Sequence, residues 1–190
     1  MADLVKDIIR ESIKVKEAVI TKLSKDIKGT ATLISTSLKK GGKVILFGNG
    51  GSAADAQHIA AEFIGRFKLE RQALASIALT TNTSILTSIA NDYGYEEVFS
   101  RQLEGIATTN DIAIGISTSG NARNVITGLL EAKKLGIKTI ALTGSGGGEM
   151  ATIADIALEV PSDNTPRIQE AHIVIGHVIC ELVEENLFKK

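Results

Sequence analysis

Apolar and polar positions follow two different rhythms along this chain. Between residues 3 and 40, Leu4, Ile8, Ile9, Ile13, Ile20, Leu23 and Ile27 recur at roughly helical spacing with Lys and Glu between them. The spacing predicts a helix that breaks at Gly29, then a second helix that reaches Lys40 and stops at Gly41-Gly42. From there, short apolar runs alternate with helical stretches. KVILFG (43–48), ALASIALT (73–80), DIAIGIS (111–117), IKTIALTG (137–144) and IADIALEVP (153–161) predict five strands, and continuous apolar runs such as the first suit strands buried on both faces. Helical patterns cover 52–67, 83–91, 95–104, 121–135 and 166–188, with a short helix after the glycines at 146–148.

Strands separated by helices predict an α/β fold, with a five-stranded parallel sheet flanked by helices and an N-terminal helical extension. One domain is expected over residues 1–190, with N-terminal helices at 1–40 and an α/β core at 41–190. The N-terminal stripe of Leu4, Ile8, Ile13 and Ile20 precedes a unit whose sheet is already covered. Each large side chain left in water costs about 1.5–3 kcal/mol, so this stripe is expected to pack against the same helix of another copy.

Composition narrows the function classes. A chain of 190 residues, 44% hydrophobic and 23% charged, fits one ordinary globular domain. The net charge of −1 gives no overall basic field to hold nucleic acid. No apolar run of about 18 residues is present, so no membrane span is expected. The start, MADLVKDIIRESIK, is charged at every turn and unlike a secretory signal, so the cytoplasm is the expected compartment. The single cysteine, Cys180, lies in an apolar helical run and is expected to be a buried structural thiol.

Ligands of parallel sheets bind at the carboxyl ends of strands, and the polar loops fall there. Gly48-Asn49-Gly50-Gly51-Ser52-Ala53 matches G-x-G-x-x-A. A dinucleotide site also needs an acid closing the second strand, but Thr80-Thr81-Asn82 stands there and Glu70 precedes the strand. No nucleotide cofactor is therefore expected. The loop can still present backbone N–H groups and a helix start to an anion, with Ser52 as cap or donor. Ser117-Thr118-Ser119-Gly120-Asn121 offers three hydroxyls before another helix, and two such loops on one sheet point to a phosphate site. His58 and Glu62 are four apart and share a helix face. His177 follows Gln169 by two turns on the last helix, and all four interrupt apolar faces. His172 reads as a core histidine.

Taken together, FGNGGSAADAQHIAAEF, LTSIANDYGYEEVFSRQ, ISTSGNARNV, ALTGSGGGEM and PRIQEAHIVIGHVICELVE resemble the phosphoheptose isomerases of the SIS (sugar isomerase) family. The resemblance runs from about residue 35 to the end. It implies a three-layer fold and a homotetramer with sites near subunit boundaries. It also implies an aldose–ketose isomerase converting sedoheptulose 7-phosphate to D-glycero-D-manno-heptose 7-phosphate through an enediol, early in ADP-heptose biosynthesis. Carried onto this chain, contacts to the phosphorylated seven-carbon sugar fall on Asn49, Gly50, Gly51, Ser52, Glu62, Asn91, Asp92, Ser117, Thr118, Ser119 and Gln169. The implied metal, usually zinc and one per subunit, falls to His58, Glu62, Gln169 and His177, with Glu62 and His177 as acid and base. Ala122 departs from the family, which often has a serine there to hold phosphate. A related SIS protein is instead a tetrameric partner of the bacterial replication initiator and shares several of these stretches. It lacks a histidine at position 58, which this chain has; that regulatory reading stays as the alternative.

Overall fold

A computed structural model describes residues 2–189. Helix α1 runs unbroken over Ala2–Lys39, so Gly29 does not interrupt it. A glycine inside a helix costs about 1 kcal/mol relative to alanine. The turns on either side offset that by burying Leu23, Ile27, Ala31 and Ile34 in the core. Five strands follow, β1 (Val44–Gly48), β2 (Ser76–Ala78), β3 (Ile112–Ile116), β4 (Lys138–Thr143) and β5 (Ile156–Glu159). Between and after them lie α2 (Gly51–Ile64), α3 (Thr83–Tyr93), α4 (Ser100–Ile106), α5 (Arg123–Lys134), α6 (Gly148–Ile153) and α7 (Thr165–Phe188). A 3-10 turn at Tyr95–Glu97 precedes α4, where the sequence predicts helix from 95. The edge strands β2 and β5 are shorter than their apolar runs, and Ile153 closes α6 rather than opening β5.

All four strand pairings are parallel, in the order β2-β1-β3-β4-β5. Alternate side chains of β1 feed two cores, which makes the domain three-layered. Val44 and Leu46 pack with Ile34, Phe63 and Ile175 beneath α1, α2 and α7. Ile45 and Phe47 pack with Phe99, Leu103 and Leu129 beneath α4 and α5. His172 is fully buried on α7, with Nε2 3.0 Å from the Thr143 carbonyl oxygen. Burial outweighs that contact and pushes its pKa down to about 4, so it is a neutral core group. Cys180 is buried too, and burial pushes its thiol up to about 12.

Helix α1 has two apolar faces. Val15, Val19, Leu23 and Ile27 turn inward to the core shared with α7. Leu4, Ile8, Ile13 and Ile20 face water within one chain, Ile20 being 69% exposed. The helix start is pinned by Arg167 Nη1, which donates to the Ile8 carbonyl at 2.7 Å, and by Ser12 Oγ, which donates to Glu170 at 2.5 Å.

Candidate active site

Strand β1 ends at Gly48, and the chain turns through Asn49-Gly50 into α2. The loop is tied to α5 by reciprocal amide bonds. Asn49 Nδ2 donates to Asn124 Oδ1 at 2.8 Å, and Asn124 Nδ2 returns a bond to Asn49 Oδ1 at 2.9 Å. Asn124 was not singled out in the sequence; its signal is a polar residue on the buried face of an amphipathic helix. The Asn49 side chain is thus committed to the scaffold, while Gly50 and Gly51 present backbone. A Cβ at Gly51 would lie 2.5 Å from Gln169 Nε2, so any side chain there would push the Gln169 amide aside. The amide of Gln169 therefore sits directly over the glycine loop. Ser52 is buried at the start of α2.

Helices α2 and α7 bring the histidines together. Gly176 allows this, since a Cβ there would meet Ile59 at 2.5 Å. His58 Nε2 stands 3.2 Å from Glu62 Oε1 and 3.0 Å from His177 Nε2. At that separation the two rings share one proton or direct two lone pairs at one cation. Ligand atoms of His58, Glu62 and His177 all lie within 4.8 Å of one another, a set that can hold a divalent metal ion. Gln169, the fourth ligand implied by the resemblance, lies two turns earlier on α7.

Asp55, one turn before His58 on α2, is a perturbed acid that the sequence analysis passed over. Its Oδ2 is buried without a hydrogen-bond partner. Burial pushes its pKa up to about 6, against the attraction of nearby His58. The legible signal was an acid three residues before a histidine on an apolar helix.

The hydroxyl loop follows β3. Ser117 and Ser119 hydroxyls lie 3.3 Å apart, and Asn121 N donates to Ser119 Oγ at 3.2 Å. Gly144 N donates to the Thr118 carbonyl and Met150 N to that of Gly120, each at 3.0 Å, which straps this loop to the glycines after β4. Helix α5 begins with Ala122 at its cap and no side-chain cap bond. Thr118 and Ser119 open on a cavity of about 210 Å³ that Ser145, Ser162 and Thr165 also line. These three hydroxyls were missed in the sequence because they come from two further loops. Asn91 and Asp92 are exposed on α3. Among the described residues they hydrogen-bond to each other, at 2.8 Å, and not to the His58–His177 group. No helix among the described residues is long and apolar enough to cross a membrane.

A family profile described as SIS domain matches residues 8–144. The phosphoheptose isomerase of Aquifex aeolicus is 58% identical over 190 residues, covering 100% of both chains. The solved structure of phosphoheptose isomerase GmhA from Neisseria gonorrhoeae superposes with a TM-score of 0.92 at 42% identity, covering 97% of this chain and 98% of that one. A phosphoheptose isomerase structure from Francisella tularensis gives 0.93 at 35% identity, with the same coverage.

Proposed function

The chain belongs to the phosphoheptose isomerases of the SIS-domain family, and from that premise we propose that it converts sedoheptulose 7-phosphate to D-glycero-D-manno-heptose 7-phosphate, an early step of ADP-heptose biosynthesis. The observation that carries this reading is the meeting of His58, Glu62 and His177, whose ligand atoms lie within 4.8 Å of one another.

The phosphate rests on the Ser117, Thr118 and Ser119 hydroxyls and the N–H groups that open α5, neutral donors that need no lysine. Gly50, Gly51, Ser52 and Gln169 line the sugar path from the β1 side, with Asn49 fixing the loop. Asn91 and Asp92 reach a sugar from α3, a role that suits a site shared between subunits. Glu62 takes the proton from C1 of the open-chain ketose, and the C–H electron pair forms the C1–C2 double bond. His177 gives a proton to O2, completing the enediol. In the second half His177 takes the O1 proton, the C1 carbonyl forms, and Glu62 returns its proton to C2. Every bond broken is matched by one formed, so no external oxidant or reductant enters.

Two imidazoles, a carboxylate and the Gln169 amide form a donor set that suits zinc, one per subunit. Such an ion supplies polarisation of the sugar oxygens when bound. Glu62 has two carboxylate oxygens, so one can face the ion while the other takes the proton. The exposed stripe on α1 supports a homotetramer, and a cytoplasmic location suits the substrate. Metal-replete purified protein should turn over sedoheptulose 7-phosphate. Tight binding of a replication initiator with the sugar phosphate left unchanged sinks this reading in favour of the regulatory one.

A further inference from the structure

The connection from α2 to β2, residues 65–75, has no helix or strand. Its anchor is Glu184, on the last turns of α7 and 1% exposed. The Glu184 carboxylate accepts from the backbone N–H groups of Phe67, Lys68 and Leu69, all at 2.9 Å. It also accepts from Arg71 Nε at 2.8 Å. Arg71 then spreads its remaining donors over the end of α2. Nη1 donates to the Phe63 carbonyl and Nη2 to that of Glu62, both at 2.9 Å. One buried ion pair therefore holds α7, the connection and the carbonyl of Glu62 itself.

The consequence falls on Phe67. With its N–H fixed to Glu184, its ring packs on the His177 ring, with centroids 5.3 Å apart and an interplanar angle of 34°. The His58 ring packs on His177 as well, at 5.0 Å. His177 is thus wedged between an aromatic wall and the other histidine, with Nε2 aimed at His58 and Glu62. A buried ion pair contributes little net stability against apolar replacement, so its presence at this spot calls for another role.

We propose that the Glu184–Arg71 pair is a strut that sets Phe67 against His177, making these three residues positioning residues for the proton-transferring and metal-ligating face of that ring. The proposal rests on the isomerase reading, but its test does not depend on turnover. Phe67→Leu keeps the strut and removes only the flat wall. It should weaken zinc affinity, read by competition with a chelating dye, by about 10-fold or more, as loss of groups that orient a ligand does. The His177 ring resonances of the metal-free protein should broaden or double. In the loaded enzyme kcat should fall with KM little changed, and Phe67→Tyr should restore all three readouts. Glu184→Gln should show the same zinc defect if it folds; where it does not, Phe67→Leu decides. Unchanged zinc affinity and unchanged His177 resonances in Phe67→Leu overturn the proposal, whatever happens to thermal stability. If the isomerase reading alone fails, turnover is absent from the wild type while the zinc and resonance effects persist.

Discussion

The Nε2 atoms of His58 and His177 stand 3.0 Å apart, although 119 positions separate the two residues in the chain. Two protonated rings cannot occupy that geometry comfortably, and a cation between their lone pairs relieves it. Zinc present at about 100 times its dissociation constant should stabilise the protein by about 2.7 kcal/mol. His58→Ala should abolish that stabilisation. Calorimetry with and without the metal checks this, and an equal zinc shift in the variant contradicts the ligand assignment.

In the proposed reading Ser119 helps to anchor the phosphate, and it lines the cavity beyond β3. Ser119→Ala should weaken binding of the sugar phosphate and leave the unphosphorylated sugar unaffected. Ala122→Ser should tighten the phosphorylated ligand, since it adds a hydroxyl at the start of α5. Titration calorimetry with both sugars separates the outcomes, because equal weakening of both marks a structural role for Ser119.

The proposed assembly would use the outward face of α1. Ile13 is 51% and Ile20 69% exposed, while Val15 and Val19 hold the helix to its own domain. The double substitution Ile13→Glu, Ile20→Glu should therefore leave the fold intact and yield smaller oligomers in sedimentation. An unchanged tetramer removes this face from the interface.

Two groups shifted by burial, the fully buried His172 and the half-buried Asp55, tilt the acid side of the stability curve in opposite directions. Burial pushes His172 from 6.5 down to about 4, despite the Thr143 carbonyl. The unfolded chain binds more protons across that window, so stability falls as pH drops from 6.5. Burial pushes Asp55 from 3.8 up to about 6, despite His58. The folded chain binds more protons there, so this contribution is lost as pH rises from 3.8. Asp55→Asn should therefore leave His172 unopposed, and urea midpoints of the metal-free variant should fall more steeply on acidification than those of the wild type. Equal slopes contradict the assignment of Asp55 as a half-buried acid with an unpartnered Oδ2.

The layers of this fold were legible because strand runs such as VILF are apolar on both faces, which only a doubly covered sheet explains. Gly29 misled because a local break signal is weaker than the burial of Ile27 and Ala31 on either side of it. The N-terminal stripe was read as one face, whereas Leu23 and Ile27 turn inward and Ile13 and Ile20 outward; helical spacing alone does not say which face meets the domain. His58 and Glu62 were readable from their spacing, but their meeting with His177 needed the resemblance and then the packing of α2 on α7. Asp55, Asn124, Ser145, Ser162 and Thr165 escaped notice because burial and cavities shared among distant loops are not legible along the chain. The Glu184–Arg71 pair was invisible for the same reason: Glu184 ends the stretch PRIQEAHIVIGHVICELVE with no role legible there, and Arg71 lies outside the family's stretches.

The chemistry assigned to Glu62 and His177 is tested most directly by proton NMR of the metal-loaded protein with sedoheptulose 7-phosphate in deuterated water. The wild type should form the heptose 7-phosphate with deuterium appearing at C2 of the product, the mark of an enediol whose proton exchanges with solvent. Glu62→Gln, equal in size but without basicity, should be slower by at least about 100-fold while still binding the sugar phosphate. A wild type that forms no aldose phosphate, or a Glu62→Gln variant that forms it at the same rate, contradicts the account.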